Sequence, residues 1–136
     1  MKPIVLCLFA ALFLVSCADS GRESTKRLSE EVLAIHDEVM PKTSEVMNLK
    51  LQLQERMGKD STARPMGDSL AAALDRADNA MTDWMAAYDT DAAKNTSADQ
   101  AANYFEAEKD KIAAIKKQTD ESIARAKEFL KTAPRK

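Results

Sequence analysis

Three runs of apolar residues, each stepping by three or four, constrain this chain more than any other feature. The first puts Leu28, Val32, Ile35, Val39, Val46, Leu49, Leu53 and Met57 in phase, with Thr43 filling the one long gap. The second is Leu70, Leu74, Ala77, Met81, Trp84 and Tyr88. The third is Ala101, Phe105, Ile112, Ile115, Ile123, Ala126 and Leu130, interrupted at Glu108 and Thr119. Such spacing lines one face of an α-helix, whereas a strand needs a period of two. With only three Gly and four Pro among 136 residues, little in the chain opposes helix. The spacing predicts helices at about 24–57, 68–89 and 98–131. Short loops make neighbouring helices antiparallel, so the expected fold is all-α: an up-down-up three-helix bundle with long first and third helices.

Local signals place the boundaries. Ser97 and Gln100 form a capping box ahead of the third helix. Gly58 suits the end of the first helix, residues 58–67 read as a loop, and Asp68 as the cap of the second. Residues 89–96 form the next loop, and 132–136 should fray. Pro41 interrupts the first stripe without shifting its phase, which predicts a kink rather than a break.

Ahead of the bundle, Lys2 precedes an apolar run from Ile4 to Val15, too short to span a bilayer and built like a secretory signal. The run ends in Leu14-Val15-Ser16-Cys17, which resembles a bacterial lipobox. That resemblance implies cleavage after Ser16, a signal peptide over 1–16, diacylglycerol and acyl chains on Cys17, and a lipidated tether over 17–23. Two or three acyl chains suffice for stable anchoring. Ala18 at the next position, rather than Asp, implies the outer membrane by the usual sorting rule; a periplasm-facing protein is expected. Cleavage would remove Cys7, leaving no thiol for a disulfide, a nucleophile or a metal.

The catalytic inventory is thin. His36 is the only histidine, so no Cys–His or Ser–His pair is expected near a Gly-rich turn. No phosphate-cradling loop occurs, and the formal net charge of −2 is the wrong sign for a nucleic-acid surface. No cofactor is expected. His36, Met40 and Met47 lie in line on the first helix and are the candidate soft-metal ligands. The alternative is that His36 borders the core and the methionines fill it.

The expected function is therefore a non-catalytic, membrane-anchored helical protein binding a protein or peptide, or a second copy of itself; the alternative is a metal-binding or metal-sensing lipoprotein using His36 and Met40. The first and third helices outrun the second by about 13 residues, or about 19 Å. Either a loop covers the excess, or an apolar groove stays open there. The groove is expected at the end holding Leu28, Val32 and Ile35, beside Trp84, Met85 and Tyr88. The segments His36-Asp-Glu-Val-Met-Pro-Lys42, Met81-Thr-Asp-Trp-Met85 and Tyr104-Phe-Glu-Ala-Glu-Lys-Asp-Lys-Ile112 resemble those of a family of small lipoproteins from Bacteroidota-type bacteria. That family often carries the label "viral A-type inclusion protein". The resemblance covers most of the chain after Cys17 and implies no residue roles.

Overall fold

The computed structural model describes the backbone of residues 12–132 and the side chains of residues 21–131. The described fold is all-α, with no strand among the described residues. Helix α1 (Leu12–Val39) passes through a 3-10 turn at Met40–Lys42 into α2 (Thr43–Lys59). A second 3-10 turn, Ser61–Ala63, leads into α3 (Arg64–Ala87). A short α4 (Ala92–Asn95) precedes α5 (Ala98–Thr132). Residues 1–11, with the first part of the expected signal peptide, and the last four residues of the expected frayed tail lie outside the described residues.

Pro41 explains the division of the first stripe. It has no N–H to donate to the Asp37 carbonyl, so the helix tightens for one turn and Thr43 N–H bonds back to Met40. The stripe stays in phase across the turn, with Val39 and Val46 both buried. The expected boundaries need three corrections. Helix α1 runs through Cys17 and the segment 18–23 rather than starting at about residue 24. Gly21 allows this: its carbonyl accepts the Thr25 hydroxyl, and a Cβ there would come within 3.3 Å of the Ala98 Cβ. Gly58 is helical rather than terminal, and α2 ends at the extended Asp60. Asp68 caps nothing, because α3 begins at Arg64 with Pro65 in its first turn, where a missing N–H costs nothing. Asp60 takes the capping role for the turn, accepting from the Thr62 N–H at 3.0 Å. The Ser97–Gln100 box forms as expected, with reciprocal bonds of 3.3 and 3.4 Å.

Three core layers stack along the molecule. One holds Leu28, Ala92, Ala101 and Phe105; the next Val32, Val39, Met81, Trp84 and Ile112. The last holds Val46, Leu49, Leu53, Leu70, Leu74, Ile123 and Ala126. Each fully buried Leu, Ile or Phe contributes about 1.5–3 kcal/mol. The two interruptions in the third stripe are both buried and both satisfied. Thr119 donates to the Ile115 carbonyl at 2.9 Å, and Glu108 is bonded to Trp84 and Lys111.

Ion pairs set the register of the long helices. Glu31 pairs with Lys109, Glu38 with Lys116, Lys42 with Asp120 and Glu45 with Lys127, so residue numbers rise together in α1–α2 and α5. Numbers run oppositely between α2 and α3, where Lys50 meets Asp75 and Met57 meets Gly67.

These pairs carry a pH signature. The hydrogen bond from Lys42 holds the Asp120 carboxyl below the usual carboxylate range; attraction to Lys42 and contact with Lys116 assist, and burial opposes. A depressed folded value means the contribution is present above the unfolded carboxyl pKa, near 4, and is lost as pH falls through the folded value. Asp120 is 42% exposed, so screening keeps the effect below about 1 kcal/mol. Urea midpoints should therefore fall between pH 5 and pH 3, and fall less for Asp120→Asn. Equal falls would show that this pair contributes nothing.

Candidate functional site

An aromatic ladder occupies the joint between the two upper core layers. The Trp84 ring lies 5.8 Å from the His36 ring and 4.8 Å from Tyr88. Tyr88 continues it to Tyr104 at 6.2 Å and Phe105 at 6.3 Å. Helix α3 supplies Trp84 because the stripe Met81, Trp84, Tyr88 faces inward; α5 supplies Phe105 and Glu108 by the same periodicity. Trp84 Nε1–H donates to Glu108 Oε2 at 2.8 Å, and Lys111 donates from the rim to Oε1 at 2.7 Å. A buried carboxylate is costly without such partners, and here each oxygen has one. Tyr104 Oη accepts the Asp89 N–H at 2.6 Å, fixing the start of the loop after α3. Burial is the main cause that raises the Tyr88 and Tyr104 hydroxyls above the usual tyrosine range. Both therefore stay protonated at neutral pH.

His36 sits at the outer edge of this ladder with its side chain 23% exposed. Its Nδ1 lies 3.0 Å from Asp37 Oδ1. Helix α1 places Met40 one turn further on, at the start of the Pro41 turn. Met85 follows Trp84 on α3, and both methionines are exposed.

The expected open groove is not there. Leu28, Val32 and Trp84 are buried, Ile35 and Tyr88 are half-buried and packed on the core, and only Met85 of the six is exposed. The loop after α3 is the cause. It folds into α4, whose Ala92 packs on Leu28, Ala101 and Phe105 and supplies the wall that α3 is too short to provide. At that end lies instead a cleft of about 550 Å³ with a polar rim that includes Arg22, Lys26, Ser29, Lys94 and Ser97.

The candidate metal ligands are also regrouped. Met47 lies eleven residues beyond His36, across the Pro41 turn. At about 1.5 Å per residue that is about 16 Å, too far for one ion to bridge. Met47 belongs instead to an exposed stripe that sequence reading missed. Leu33, Met40, Met47 and Leu51 are 45%, 37%, 63% and 61% exposed and step by seven, seven and four. Their spacing is visible in the sequence. Their separation from the buried stripe one residue away emerges only when the burial of both is known. Among the described residues no group of three His, Cys, Asp or Glu is placed to hold a metal.

Comparison with protein-family models, with curated proteins and with solved structures gave no match.

Proposed function

We propose that this chain is a lipid-anchored, non-catalytic helical protein of the cell envelope that binds a helical segment of a partner protein. Its residues 24–131 form an up-down-up bundle, a reading supported by the rising and falling registers of the interhelical ion pairs. Residues 1–16 act as the signal peptide. Cleavage after Ser16 would leave Cys17 within one turn of Gly21, so the bundle would stand directly on the membrane rather than on a flexible leash. No described helix is long and apolar enough to cross a membrane. The outer membrane, with the bundle facing the periplasm, is the proposed location, on the identity of Ala18.

The observation that carries the binding reading is the exposed stripe Leu33, Met40, Met47 and Leu51. Large apolar side chains in a line are the anchors by which one helix takes another, and unbranched thioethers adapt to a partner's surface. A photoreactive residue tests this at Met47 and Leu51, with Met66 as an exposed control on α3. Cross-linking in intact cells should give one discrete product at the two stripe positions and none at Met66. A product of twice the chain's mass would replace the foreign partner with a second copy. No stripe product, or equal capture at Met66, would contradict the reading.

A further inference from the structure

We propose a binding site for a soft univalent cation, Cu(I) or Ag(I), at the α1–α3 seam, formed by His36, Met40 and Met85 beside the indole of Trp84. Three observations converge there. The first is the state of His36. A carboxylate can only accept, so in the 3.0 Å contact with Asp37 the imidazole Nδ1 is the donor and Nε2 is the nitrogen turned to a metal. A carboxylate holding the far nitrogen is how proteins orient metal-binding histidines.

The second is the placement of the two thioethers. Met40 follows His36 by four residues and shares its helix face. The antiparallel register in which Lys50 meets Asp75 and Met57 meets Gly67 brings Met85 of α3 to about the level of Met40. Both methionines are exposed, at 37% and 40%. The third is Trp84 itself, whose ring is 5.8 Å from the imidazole and immediately precedes Met85. An indole face attracts a cation, which adds to the site without adding a ligand.

One imidazole and two neutral thioethers are a soft donor set that favours Cu(I) and Ag(I). Zinc would want further His, Cys or carboxylate ligands, and no such group forms among the described residues. The proposal does not depend on the partner-binding reading; Met40 is the one residue they share.

Trp84 is the only tryptophan, so its fluorescence reports on the site. The probe is Ag(I), titrated into the full chain in detergent with Cys7→Ser and Cys17→Ser in place, so that no thiol competes. Saturable quenching at one equivalent is expected, with Kd below about 10 μM. His36→Gln, Met40→Leu and Met85→Leu should each weaken binding by about tenfold or more. Met47→Leu should leave it unchanged, and Zn(II) should not quench. These exposed Met→Leu replacements preserve volume, and circular dichroism melts confirm that each variant is folded. Absence of saturable quenching, unchanged affinity in any one of the three ligand variants, or an equal loss in Met47→Leu would overturn the site.

Discussion

Replacing Val32 by Asp is expected to remove about 4 kcal/mol or more of folding free energy, a large share of what a domain of this size possesses. Val32 has no exposed surface and packs among Val39, Met81, Trp84 and Ile112. The substitution loses the buried methyls and places a carboxylate among apolar side chains. The adjacent Leu33→Asp is the internal control. Leu33 is nearly half exposed, so the same chemical change there should shift stability by about 0.5 kcal/mol or less. Denaturant titration followed by far-ultraviolet circular dichroism should separate the two neighbours clearly. If Val32→Asp unfolded at the same midpoint as the parent chain, the α1–α3–α5 seam would have to be open to water. The core layer described above would then be wrong.

That contrast between neighbours also marks how far the sequence was legible. Apolar periodicity identified the inward face of each long helix, and nearly every stripe residue, from Leu28 through Leu53 and Leu70 to Ala126, is buried or packed on the core. Capping at Ser97 was readable because a capping box is local, needing only residues three apart. Glu108 was readable as a break in the pattern but not as a buried acceptor, because its donor, Trp84, lies 24 residues away on another helix. The short α4 escaped for a related reason. Four residues cannot display a period, and the burial of Ala92 is decided by the gap that α3 leaves, not by its own surroundings in the chain. Hence the groove expected at Leu28 and Val32 is filled. An exposed apolar line runs instead along Leu33, Met40, Met47 and Leu51, one step round the helix. The contact of His36 with the Trp84 ring likewise needed two helices to be brought together. A line of residues on one helix looks close on paper yet is spread along its axis by 1.5 Å per residue.

Cys17→Ser carries the second large effect and tests the central claim, attachment of this bundle to a membrane through lipid on Cys17. The thiol is the only atom of that residue able to accept a diacylglycerol group, and serine removes it while keeping the side chain's size. The apolar run from Ile4 to Val15 ends just before it, and Gly21, only one turn further on, already lies against Ala98. Loss of the acyl chains should therefore release the bundle or leave the precursor uncleaved. The direct measurement is metabolic labelling with a radioactive fatty acid, followed by membrane fractionation of both forms. The parent chain is expected to carry label in the membrane fraction at the mass of a chain lacking residues 1–16. The variant is expected to carry none. A Cys17→Ser chain that still incorporates labelled fatty acid and still sediments with the membrane would contradict the lipid anchor, and with it the proposed place of this protein in the cell.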